Sequence, residues 1–220
     1  MKERPILFSG PMVRALLAGT KTMTRRVVKA PVDFIGAGWK DGPDWNDPGS
    51  WGWEDPENPS HFLTLAREPS REDCSYPIAC PYGVPGDRLW VREAFVSGYE
   101  ADDSGYLITE DADGNELDER VWYRADCEDF RWYGDDGESV PVPWKPSIHM
   151  PRWASRLTLE ITGVRVERVQ EISEADAIAE GCDSADGFRE LWGSINGDGA
   201  WDANPWVWVV VFRQVLGGNA

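Results

Sequence analysis

The chain has 220 residues, a length that favours one decorated domain over two. Apolar residues make up 41%, enough for a core, while 13 Trp, 16 Pro and 22 Gly suit strands and ordered loops and exclude a coiled coil or a disordered chain. The formal charge of −17 excludes non-specific binding to nucleic-acid backbone as the main activity, and the longest apolar run, residues 207–212, is far below the roughly 20 residues of a membrane span.

The charge is uneven. Residues 1–30 hold seven cations against Glu3 alone, a net +6. Residues 100–138 hold 15 Asp and Glu against Arg120, Arg124 and Arg131, a net −12. A basic N-terminal patch thus sits on an acidic body, and the local field of a basic cleft can hold an anion whatever the net charge. The acidic stretch itself reads as a solvated surface insertion. The charged start of the chain has no secretory apolar stretch behind it, and Cys74, Cys80, Cys127 and Cys182 form no CxxC pair. Both features predict a cytoplasmic protein with reduced thiols.

Residues 4–8 predict a short strand. Ser9-Gly10-Pro11 then opens a helix, with a capping candidate followed by a proline where no N–H is needed. Val13, Leu16 and Leu17 give it one apolar stripe, and Gly19 ends it. Residues 22–28 read as a strand, and residues 31–60, with four Trp and several Pro breaks, as a loop insertion. Residues 81–87 form a turn before a strand at 88–92, with Leu89 and Val91 on one face. Asp113-Gly114-Asn115 is a hairpin-type turn, and Asp111-x-Asp113 lacks the 12-residue calcium-loop pattern.

Residues 121–123 predict another strand. Residues 157–169 predict a long one, with a bulge near Gly163 where the alternation slips. Ser173 and Asp176 have capping spacing for a helix over 173–179, stopped by Gly181. Phe188, Leu191, Trp192 and Ile195 make the apolar stripe of a helix over 184–195. Residues 207–215 form a buried terminal strand, and 217–220 a frayed tail. Strands that outnumber helices predict an α+β fold, a small mixed or antiparallel β-barrel with helices packed at its ends.

The most informative stretch is Gly19-Thr20-Lys21-Thr22-Met23-Thr24-Arg25-Arg26. It resembles the G-x-K-x-x-T-x-R signature of the ASCH-domain family, in the PUA-like superfamily of small β-barrels, with Gly19, Lys21, Thr24 and Arg26 at the signature positions. Gly86-Asp87 before Leu89-Trp90-Val91 resembles that family's Gly-Asp strand start. Ile172, Ser173, Glu174, Ala177, Glu180 and Gly181 resemble its I-[ST]-E-x-x-A-x-x-E-G helix, and residues 206–215 its final strand. The resemblance covers about half of one 1–220 domain, leaving segments 31–80 and 97–145 as long insertions. With its Cys80–Gly83 and Trp144–Trp153 runs, the whole chain looks like the longer ASCH proteins of phages and prophages.

The resemblance implies a PUA-like barrel that binds RNA, a nucleoside or a modified base, in a bacterial or phage-infected cytoplasm. It also implies amide hydrolysis, because one compact branch removes the acetyl group from N(4)-acetylcytidine with a Lys, a Thr and a Glu. By position these fall on Lys21, Thr24 and Glu180. The chemistry has its own requirements. A Thr hydroxyl needs a base, and a Lys serves as one only if burial or nearby positive charge lowers its pKa. Arg25 and Arg26 are close enough in sequence to supply that charge.

Lys21 and Thr24 are an odd number of residues apart, so a regular strand points them to opposite faces. They converge only if residues 19–22 are still a turn. The alternative is a basic edge beside an ordinary strand threonine. Arg26 suits an anion or a base carbonyl through its planar fork. Trp90, and Trp206 or Trp208, suit stacking on a base, though a strand Trp is more often core. Ser9, His149 and Arg152 complete the expected substrate-binding set. No cofactor or metal is expected: His61, Cys74, Cys80, Cys127 and His149 match no zinc spacing.

Three functions follow as expectations: hydrolysis of an N-acylated cytidine, non-catalytic reading of RNA or a modified base, and capture of a protein partner by an acidic insertion that imitates nucleic acid.

Overall fold

A computed structural model describes residues 1–29, 52–54, 59–65, 75–98, 116, 119–126, 131–133 and 138–215. The expected turn at 113–115, the Asp111-x-Asp113 pair, Trp39, Trp45, Trp51, Cys74, Cys127, most of the acidic stretch and the tail at 217–220 lie outside them.

The main sheet has five strands. In spatial order they are β1 (Glu3–Leu7), β6 (Arg88–Arg92), β11 (Thr158–Arg168), β12 (Trp206–Val215) and β2 (Met23–Val27). β1 runs parallel to β6, and every other pairing in this sheet is antiparallel. The remaining strands lie largely in the segments expected as insertions. β3 (Gly52–Glu54), β4 (His61–Leu65) and β5 (Ser75–Ala79) form a three-stranded antiparallel sheet. β7 (Phe95–Gly98) pairs with β8 (Arg120–Tyr123), and β9 (Arg131–Tyr133) with β10 (Ser139–Pro141). The insertions are therefore partly β-structure rather than loop.

Alternation sets the faces. β6 buries Leu89 and Val91 and turns Arg88, Trp90 and Arg92 outward, half-buried. β11 buries Leu159 and Ile161, slips register between Ile161 and Gly163, and resumes with Val164 and Val166. That slip is the expected bulge: one extra residue moves the alternation back onto the same face. β12 buries Val207, Trp208, Val209, Val210 and Phe212. A continuous apolar run of this kind is what a strand covered on both faces requires.

The two covers are different. One core joins Ile6, Phe8, Leu89, Val91, Leu159, Ile161 and Trp208 with Val13 and Leu16 of α1 (Gly10–Leu17). The other joins Met23, Val207 and Val209 with Ala177 of α2 (Glu174–Ala179) and Phe188 and Trp192 of α3 (Ala185–Asn196). Ile195, expected on the α3 stripe, is instead exposed, one residue before the helix ends at Asn196.

The fold is thus mixed α+β. Among the described residues no backbone ladder closes the sheet into a barrel. Its two margins nevertheless approach each other. Arg26 on β2 donates from Nη2 to the carbonyl of Leu7 at the end of β1, at 2.7 Å, with its guanidinium 5.4 Å from the Phe8 ring centre. No helix among the described residues is long and apolar enough to cross a membrane.

Candidate functional site

The turn between α1 and β2 places the first functional side chain. Gly19 adopts a positive φ of 73°, which ends the helix, and the N–H groups of Thr20 and Lys21 both close on the Ala15 carbonyl. β2 begins only at Met23, so Lys21 stands outside the pleat. The parity conflict between Lys21 and Thr24 therefore does not arise. The Thr22 N–H donates to the Ala179 carbonyl at 2.8 Å, tying this turn to the end of α2, where Glu180 follows. Gly181, at φ 86°, sits so close that a Cβ there would lie 3.0 Å from the Ala15 side chain.

Lys21 and Glu180 meet. Lys21 Nζ donates to Glu180 Oε2 and to the Glu180 carbonyl, both at 2.7 Å, with side-chain exposures of 0% and 3%. Burial holds the Lys21 amine below its ordinary range; the Glu180 carboxylate opposes that and the Arg26 charge assists it. Glu180 Oε1 accepts from Arg25 Nη1 at 3.3 Å. Arg25 is itself fully buried and also donates to Glu167 (Nε to Oε1, 2.9 Å) and Asp176 (Nη2 to Oδ2, 2.6 Å). Arg165 donates to the same two acids. Three cations and three carboxylates thus form one network whose formal charges cancel.

Thr24 is buried, on the strand face it shares with Arg26 and opposite Val210. Its hydroxyl has no hydrogen-bond partner among the described residues. Thr24, Arg26 and Glu180 line one hollow of about 60 Å³, walled by Phe188, Leu191 and Trp192 of α3. Arg26 Nε is buried there without a partner. A volume on the scale of one or two waters' share of liquid, ~30 Å³ each, is far too small for a nucleoside.

A larger cleft, of about 470 Å³, opens on the other flank of α1. Met12 faces the small hollow, whereas Gly10 and Arg14 face the cleft. Of the expected site residues only Ser9 lines it.

The other expected binding residues lie elsewhere. Trp90 is on the outward face of β6, with its ring 5.2 Å from the Arg92 guanidinium and 6.0 Å from that of Arg152. Arg152 donates to Glu3 and Thr158, and His149 is exposed at the end of a 3-10 turn. None of the three lines either cavity, because alternation along β6 puts Trp90 on the face away from the buried Leu89 and Val91. Trp208 is core, and Trp206 carries the Arg168 guanidinium 4.4 Å from its ring centre. Neither is free to stack on a base. Cys80 is a buried free thiol whose pKa burial pushes up.

Sequence reasoning missed the Arg25 network. One signal was available: Arg165 and Glu167 alternate with buried valines on β11 and stand opposite Val209 and Val207 of a strand covered on both faces. Charges at such positions need partners.

Compared with known protein families, curated proteins and solved structures, the chain matches none.

Proposed function

We propose that the chain is an ASCH-type, PUA-like protein that hydrolyses the amide of an N-acylated cytosine nucleoside at the Lys21–Thr24–Glu180 cluster. The observation that carries this reading is the 2.7 Å contact between Lys21 Nζ and Glu180 Oε2, made across 159 residues of chain; Glu180 also lines a hollow with Thr24, although Lys21 does not. The margin-to-margin bridge from Arg26 to Leu7 supports the barrel side of the proposal, since it brings the first and last strands of the sheet order together.

The chemistry runs as acyl transfer. Burial lowers the Lys21 pKa, which favours shifting its proton to Glu180; the neutral amine then takes the proton from the Thr24 hydroxyl as its oxygen attacks the acyl carbon. Glu180 holds the amine in place through two hydrogen bonds and passes the proton on to the departing cytosine nitrogen. Water then cleaves the Thr24 ester, releasing the acid and restoring the hydroxyl. The unpartnered Nε of Arg26 is a donor for the carbonyl oxygen as negative charge builds there. The hollow fits a short acyl group and leaves the sugar outside.

Incubation with N(4)-acetylcytidine tests this directly. The expected outcome is release of cytidine by the wild type and a loss of at least about a hundredfold in Lys21→Ala and in Thr24→Ala. Equal turnover in either variant removes the residue assignment. A second reading, binding without turnover, is favoured by one observation: the nucleoside-sized cleft lies on the far flank of α1 from Thr24. Retained binding with no cytidine released selects it.

A further inference from the structure

The small hollow lined by Thr24 and Arg26 has one positive charge in surplus. Lys21, Arg25 and Arg165 are balanced by Glu167, Asp176 and Glu180, and both Glu180 oxygens are taken, Oε2 by Lys21 and Oε1 by Arg25. Arg26 stands outside that balance. Its Nη2 donates to the uncharged Leu7 carbonyl, its Nε is buried without a partner, and no carboxylate pairs with it among the described residues. A buried cationic N–H left unpaired is costly, and one small anion beside it satisfies the bond and the charge together.

The rest of the lining suits such a guest. Thr24 is 3% exposed, and its unpartnered hydroxyl is a second donor. β2 is an end strand of the sheet, and residues from both of its faces line the hollow. The Val28 N–H donates to the Trp206 carbonyl and the Phe212 N–H to the Thr22 carbonyl, each at 2.9 Å, which fixes the phase of the ladder. By alternation the N–H groups of Arg25 and Val27, two of the lining residues, point away from β12. The remaining wall is apolar: Met12 from α1 and Phe188, Leu191 and Trp192 from α3. Phe188 and Trp192 belong to the core beneath α3, whereas Leu191 is half-buried and outside it. A volume of about 60 Å³, some two waters' share at ~30 Å³ each, leaves room for a carboxylate with one small substituent and none for a longer chain.

We propose that this hollow binds a one- or two-carbon monocarboxylate, formate or acetate, with Arg26 and Thr24 holding its oxygens and Leu191 setting the length of chain admitted. The inference rests on the amide-hydrolysis reading for the source of such an acid, the acyl group once freed from Thr24, and not for its binding. It assigns Leu191 a selective role that no signature residue has.

Saturation-transfer NMR on the full chain provides the test, with formate, acetate, propionate, butyrate and the neutral acetamide as probes. Formate and acetate are expected to bind, and butyrate about tenfold or more weakly, the scale of extra methylenes in a confined apolar site. Arg26→Gln is expected to weaken acetate about tenfold or more, the scale of one charged hydrogen bond. Leu191→Ala, a change outside the core, is expected to narrow the gap between acetate and butyrate. The wild-type series decides even where a variant fails to fold: the proposal is overturned if neither formate nor acetate binds, or if acetamide or butyrate binds as well as acetate. Acetate binding unchanged in folded Arg26→Gln, or an unchanged gap in Leu191→Ala, overturns it too. Release of cytidine without acetate binding removes this inference and spares the hydrolysis reading, whereas acetate binding without cytidine release does the reverse.

Discussion

A fully buried guanidinium holding three carboxylates is costly to desolvate, and it persists only because every donor finds an acceptor. Arg25 meets that condition and so orients Glu180, leaving the other carboxylate oxygen to Lys21. Arg25→Ala would strand Glu167, Asp176 and Glu180 with one fewer cation. A loss of about 3–5 kcal/mol in urea unfolding is expected, with Arg25→Lys intermediate because an ammonium cannot span the same fork. A loss below about 1 kcal/mol would show that solvent already screens the network. This residue was hidden in the sequence by its neighbours. Lys21, Thr24 and Arg26 fall on a recognisable spacing, whereas Arg25 points to the opposite face of β2, where only the tertiary approach of β11 and α2 supplies its partners.

At the scale of elements, two helix starts that look alike in sequence behave differently. Ser173 accepts from the Asp176 N–H at 3.1 Å and caps α2 as its spacing predicts. Ser9 holds the same position before α1 but makes no such bond. Ser173→Ala is therefore expected to cost about 1 kcal/mol, and Ser9→Ala close to nothing, in paired thermal unfolding measurements. Equal losses would contradict the assignment. Part of the element order was readable because periodicity is local: α1, the β6 alternation, the β11 slip and α3 follow from side-chain spacing, whereas the short strands β3, β4, β5, β7, β9 and β10 carry too few residues for a pattern. Pairing was not readable. Nothing local to residues 3–7 says that they lie parallel to residues 88–92, and nothing local to Trp90 says which face of the sheet is covered.

Across the whole molecule, the chain start is fastened to the beginning of β6. Asp87 accepts from the Lys2 N–H at 2.7 Å and from Arg4 Nη1 at 2.8 Å. Gly83, at φ 123°, keeps the intervening turn clear, since a Cβ there would lie 2.7 Å from Arg4 Nη1. The Arg4 hydrogen bond first, and then that from Lys2, hold the Asp87 carboxyl below its ordinary 3.8. A lowered acid contributes stability that is complete above 3.8 and fades as pH falls through the folded value. Asp87→Asn is thus expected to melt lower at neutral pH by about 2–4 °C, for a partly screened pair worth on the order of 1 kcal/mol. The gap between variant and wild type should close in acid below pH 3.8, and a gap independent of pH would exclude this origin. The joining of distant elements also has a less obvious result at the Arg26–Leu7 contact. There the two margins of the open sheet are joined by one long side chain and not by a row of amide rungs. A rotamer change at Arg26 would release that contact while every rung of the sheet stays intact.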